Sequence, residues 1–131
     1  DLKLSEQVDF LGQQGREQLA KLLDGAIALA VPSIWYENMP LNILEALGRG
    51  CPVVASRIGG IPEIINNQIN GWLAEPGDSK SWLAALELAS QANQIEFSQQ
   101  AKLSVEKYSW EKHFSAVEAI YQQLLQNRRH D

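Results

Sequence analysis

Two short, continuous apolar runs set the strongest limit on what this chain can fold into. The first, AIALAVPS from Ala26 to Ser33, follows Gly25 and is broken at Pro32. It is too short for an ordinary helix and does not alternate apolar with polar residues, so it predicts a strand covered on both faces. The second, PVVAS from Pro52 to Ser56, is β-branched and lies between Gly50-Cys51 and the pair Gly59-Gly60. It predicts a second buried strand. VDFLG (Val8 to Gly12) and GWLAE (Gly71 to Glu75, opened by the turn signal Asn70-Gly71) are candidates for two more.

Helical rhythms separate these runs. Leu19, Leu22 and Leu23 mark a helix over about Arg16 to Asp24, and Leu41, Leu44 and Leu47 mark one over Pro40 to Arg49 that Gly50 is placed to end. The three leucines of the second helix read as core. Alternating strands and helices, with strands that are apolar throughout, predict an α/β fold in which a parallel sheet carries helices on both faces. Beyond Pro76 the pattern is helical. Asp78 is placed to cap a helix carrying Trp82, Leu83, Leu86 and Ala89; Phe97, Ala101, Val105 and Tyr108 suit a second; Ser109 is placed to cap a third. In the third, Trp110, Phe114, Val117, Tyr121 and Leu124 recur as one apolar stripe. Trp82, Trp110 and Phe114 read as core positions. The 131 residues suit one domain, with an α/β core over about 8–76, a helical segment over about 78–126 and a tail over 127–131.

Composition narrows the function classes. A chain of this length buries about two-thirds of the surface its unfolded form exposes, so a core needs no disulfide or metal staple. The formal charge of −5 removes any general attraction to phosphate backbones, and nucleic acid is not expected as a partner. Cys51 is the only cysteine, and no Cys/His cluster has the spacing of metal ligands. Cys51 itself reads as a small core residue, because no histidine is near it in sequence and it enters a buried strand. The opening DLKLSEQVDF does not have the form of a signal peptide, and no uncharged run approaches the roughly 18 residues of a membrane span. A soluble, cytoplasmic chain is the expectation.

The chemistry concentrates in PSIWYENMPLNILEALGRGCPVVAS. A loop, Ser33 to Met39, follows a buried strand and precedes a helix with Pro40 in its first turn, where a missing N–H costs least. Ligands of open α/β sheets bind at this carboxyl end of the strands. The helix start leaves backbone N–H groups of Met39, Leu41 and Asn42 unpaired and carries a partial positive charge, which favours an anion. Glu37 lies before the helix and Glu45 inside it, about 7 to 8 Å along the axis from Pro40 at about 1.5 Å per residue. Carboxylates repel phosphate but accept hydrogen bonds from sugar hydroxyls. The arrangement therefore suits a diphosphate flanked by hydroxylated rings, as in a nucleotide sugar. Read alone, the same pair also fits a loop charge and a solvated helix residue.

Taken together and in order, Pro32-Ser33, Glu37 and Glu45 with seven residues between them, Glu45-Ala46, Gly50, PVVAS and GGIPEII resemble the donor-binding signature of retaining glycosyltransferases of the group 1 type, which have the two-domain GT-B architecture. The resemblance runs from VDFLG through NGWLAEPGD to the final helix, nearly the whole chain. It implies a Rossmann-like sheet forming most of the carboxyl-terminal half of such an enzyme. Glu37 would contact hydroxyls of the transferred sugar and Glu45 the ribose. Backbone groups of Asn38, Met39, Pro40 and Leu41 would line the sugar and diphosphate, and Gly12 and Gln13 would lie near the base. Met39-Pro40 stands where the family often has Phe-Gly. No metal and no cofactor is implied, the nucleotide sugar being the donor substrate.

The resemblance also implies a further strand, a loop with glycine, arginine and lysine, and an acceptor domain, all of which would precede Asp1. Without them, weak donor binding and no turnover are expected of the chain by itself. An apolar face of the final helix left exposed would favour self-association. Peripheral membrane contact of the whole enzyme stays open. A non-catalytic nucleotide or nucleotide-sugar binding module is the alternative; a phosphoacceptor regulator would need an acidic cluster at a strand end, and the sequence has none. Gly59-Gly60 fit a tight turn better than a phosphate contact. Trp35 and Tyr36 suit either stacking on a ring or packing under the loop, and His113 and His130 have no evident partner.

Overall fold

The computed structural model describes Leu4 and residues 6–127. Helix α1 (Arg16–Gly25) leads to strand β1 (Leu29–Val31), α2 (Leu41–Arg49) to β2 (Val53–Ser56) and α3 (Ile61–Ile64) to β3 (Gly71–Ala74). Helices α4 (Ser79–Gln91) and α5 (Gln94–Val105), a 3-10 turn (Glu106–Tyr108) and α6 (Trp110–Asn127) follow. His130 lies outside the described residues.

The strands pair in parallel in the order β1-β2-β3, with Leu29 opposite Val53 and Val53 opposite Gly71. Both crossovers step the same way across the sheet, so right-handed connections put α2 and α3 on one face and leave the other for α4. The core follows that division. Val53 and Ala55 meet Ile43, Ala46 and Leu47 of α2 and Ile61 and Ile64 of α3, while Val54 meets Trp72, Ala74, Ala85 and Ala89. All four residues of β2 are buried, which is why its sequence is apolar without alternation. On the second face the Trp72 and Phe97 rings stack at 4.4 Å. The 3-10 turn is tied to α3 by the Tyr108 hydroxyl, which donates to the Glu63 carbonyl at 3.3 Å.

Helix ends follow local chemistry. Gly50 adopts φ 82, the left-handed geometry that closes α2. Asp78 Oδ1 accepts from the Lys80 amide at 2.9 Å and Ser109 Oγ from the Lys112 amide at 3.3 Å, as their positions predict. Asn93, which pattern reading passed over, caps α5 by accepting from the Glu96 amide.

Several expectations need correction. Val8 to Gly12 is irregular rather than a strand; Phe10 is 96% exposed, and this apolar segment has no sheet partner among the described residues. Of Ala26 to Ser33, only Leu29–Val31 enters the ladder. Pro40 is the N-cap of α2 rather than a first-turn residue, and the helix begins at Leu41. Leu41 is 67% exposed and Leu44 half-buried, because the face of α2 that meets the sheet runs through Ile43, Ala46 and Leu47. Trp110 and Phe114 are exposed, not core: no residue of α6 is buried. Trp82 does pack, half-buried, against the second core cluster.

Candidate functional site

The loop between β1 and α2 forms at the carboxyl edge of the sheet. Val31 ends the strand buried, Ser33 is buried just beyond it, and the chain then rises through exposed Ile34, Trp35 and Tyr36 to half-buried Glu37. Glu37 is held from both ends. Its Oε1 accepts from Trp35 Nε1 at 2.7 Å and from Ser33 Oγ at 3.4 Å, while its carbonyl accepts from the Gly60 amide at 2.7 Å. Trp35 is 60% exposed rather than packed under the loop. It orients the carboxylate.

Gly59 and Gly60 belong to the loop after β2, which docks onto the first loop. A Cβ at Gly59 would meet the Glu37 backbone, and one at Gly60 would run into the Asn38 carbonyl. Gly59 also has φ 58, disfavoured for other residues. The pair makes the turn expected of it, and its second duty is to let two loops touch. No local pattern could show this, because the contact joins successive crossovers.

The tip of α2 is open to solvent: Asn38, Met39, Leu41 and Asn42 are exposed and Pro40 is buried beneath them. Among the described residues the Leu41 and Asn42 amides have no acceptor, whereas Ile43 donates to Pro40 and to Asn42 Oδ1. Two unpaired N–H groups at a helix amino end form a weakly positive site. About one turn on, Glu45 is exposed on the side facing α1. It lines an open groove of about 300 Å³ with Arg16, Leu19, Ala20, Leu23 and Arg49.

Arg49 in that groove is committed to structure. It makes a paired contact with Asp24, its Nε donating to Oδ1 at 2.9 Å, and also donates to the Ala20 carbonyl. This hydrogen bonding holds the Asp24 carboxyl below its ordinary range and raises the guanidinium. Arg16 has no ion-pair partner among the described residues, which leaves it the available cation beside Glu45. Sequence reading missed it, because its place opposite Glu45 depends on how α1 packs on α2.

Glu37 thus precedes the α2 tip in the loop, its carboxylate turned to Trp35 and Ser33, while Glu45 follows the tip in the helix and faces the groove with α1. Met39 and Leu41 open instead onto a second groove shared with α6. Gly12 and Gln13 lie in the exposed segment before α1, Gly12 with φ 63. Burial raises the Cys51 thiol, as expected of a core cysteine. Among the described residues no cluster of three His, Cys, Asp or Glu could hold a metal, and no helix is long and apolar enough to cross a membrane.

The same residues can be compared with known proteins. The profile of glycosyl transferases group 1 matches residues 1–110. A D-inositol 3-phosphate glycosyltransferase of Saccharomonospora viridis is 30% identical over 127 residues, covering 95% of this chain and 29% of that protein. The amylovoran biosynthesis glycosyltransferase AmsK of Erwinia amylovora is 35% identical over 96 residues, 70% of this chain and 24% of that one. The chain therefore spans less than a third of the length of these relatives. Among solved structures, sucrose-phosphate synthase from Thermosynechococcus elongatus superposes with a TM-score of 0.80 at 28% identity, over 95% of this chain and 32% of that one. Anabaena HepE, solved in complex with UDP-glucose, superposes at 0.73 with 24% identity over 98% and 34%, a likeness of fold alone. The parallel sheet with helices on both faces is that of GT-B glycosyltransferases. The chain belongs to the glycosyl transferases group 1 family.

Proposed function

We propose that this chain is the donor-binding part of a retaining glycosyltransferase, seating the diphosphate of a nucleotide sugar at the tip of α2. The observation that carries the reading is the exposed tip itself, with unpaired Leu41 and Asn42 amides, Glu37 in the loop before it and Glu45 in the helix after it. A diphosphate gains from the N–H groups and from the helix dipole. Glu37, already fixed by Trp35 and Ser33, accepts hydrogen bonds from hydroxyls of the transferred sugar. Glu45 accepts from the ribose, with Arg16 nearby to offset its charge against the phosphates. The backbone of Asn38 and Met39 lines the sugar; Pro40 has no N–H to give. Gly12 and Gln13 approach the base once a ligand is bound.

In glycosyl transfer the bond from the anomeric carbon to the diphosphate breaks, and negative charge grows on the departing oxygen. Preoriented amides that meet this charge lower the barrier most where water is excluded. The α2 tip is open, so the chain binds donor weakly and does not turn over by itself. HepE and sucrose-phosphate synthase support this reading by their fold, and HepE by the UDP-glucose it binds.

Calorimetric titration of UDP-glucose and GDP-mannose tests the assignment. One of them should bind with a Kd on the order of 1 mM, or about −4 kcal/mol. Glu45→Gln should weaken that binding by about tenfold, as expected when a hydrogen bond to a charged group is lost. Equal affinity in the variant would remove Glu45 from the site, and saturable binding of neither donor would remove the site itself.

A further inference from the structure

We propose that the groove between the tip of α2 and the start of α6 binds a soluble phosphate monoester with an aliphatic chain. The groove holds about 490 Å³ and adjoins the donor site at Met39 and Leu41, but its cations, Lys107 and Lys112, take no part in the donor reading, so the proposal goes beyond it. Its walls are apolar: Met39, Leu41 and Leu44 on one side, Trp110 on the other. Leu41 is 67% and Trp110 72% exposed, leaving apolar surface that an aliphatic chain would cover.

Charge identifies the other end of the ligand. The protein carries a formal charge of −5, yet Lys107, Lys112 and His113 line this groove and, among the described residues, no acidic one does. Neither lysine has an ion-pair partner among the described residues, and the Lys107 ammonium lies 4.9 Å from the Tyr108 ring centroid. Two ammonium groups suit a dianion better than a monoanion. A phosphate monoester carries about −1.5 to −2 near neutral pH, where a carboxylate carries a single charge. The head lies against the lysines and the chain runs along Leu44 and Trp110 toward Met39.

The test follows the amide signals of Leu44 and Ala116 and the Trp110 indole signal in the labelled 131-residue chain, with dodecyl phosphate added below its micelle concentration. Saturable, localised shifts are expected. Lys107→Gln/Lys112→Gln, at two exposed positions, should weaken dodecyl phosphate about fivefold, as expected for two exposed ion pairs, and leave the amide spectrum folded. Dodecyl maltoside and inorganic phosphate, each carrying half of the chemistry, should bind at least fivefold more weakly than dodecyl phosphate. Equal binding of either one, an unchanged affinity in the double variant, or no shift at all would overturn the proposal. So would the same shifts appearing on concentration alone, since a second copy would then fill the groove.

Discussion

Gly60 lies where a single methyl group would push neighbouring loops apart. Its amide donates to Glu37, and a side chain there would collide with the Asn38 carbonyl. Gly60→Ala should therefore lower stability by about 1–3 kcal/mol, as overpacking does. It should also loosen the loop that presents Glu37. Urea unfolding checks this, and an unchanged midpoint would show that the loops do not touch. Cys51 makes the opposite kind of statement: buried at 2% exposure with its thiol pushed up, it should resist iodoacetamide in the folded chain and react once urea unfolds it. Rapid labelling of the native protein would contradict its place in the core. The places of Glu37 before a helix start and of Glu45 within that helix were legible from the sequence, because both are local. Trp35 as the partner of Glu37, and Gly60 as the seat of its carbonyl, were not; both depend on how a loop folds back.

At the scale of elements, the helices were read well and their surroundings less well. The periodicity of Leu41, Leu44 and Leu47 located α2, but the phase of its buried face is set by Ile43 and Ala46 against the sheet, which apolar spacing alone cannot fix. The stripe on α6 is likewise amphipathic, and amphipathicity says that one face is apolar without saying what covers it. VDFLG had the composition of a strand but no neighbour to pair with among the described residues. The α1–α2 contact gives a pH dependence with a definite sign. Arg49 depresses the Asp24 carboxyl in the folded state, so the contribution is present above its unfolded value of about 4 and is lost as pH falls below it. Stability measured by urea between pH 6 and pH 3 should fall less steeply in Arg49→Met than in the parent. An identical slope would mean that the exposed pair contributes nothing measurable.

For the whole molecule, the fold divides into a sheet buried on both faces and a last helix that buries nothing of its own. Local stability should follow that division. In hydrogen exchange, Val53, Val54 and Ala55 amides should be the most protected and those of α6 among the least. Protection of α6 equal to that of β2 would mean that its apolar face is covered in solution, by a second copy or by another segment. Family membership was legible from an ordered set of local motifs spanning most of the chain.

The donor reading requires a diphosphate on the amino end of α2. A nucleoside diphosphate titrated into the isotopically labelled chain tests it most directly. The Leu41 and Asn42 amide signals should move first and furthest, with Asn38 and Glu45 beside them, and the movement should saturate. Shifts spread evenly over the surface, or centred away from the α2 tip, would contradict it.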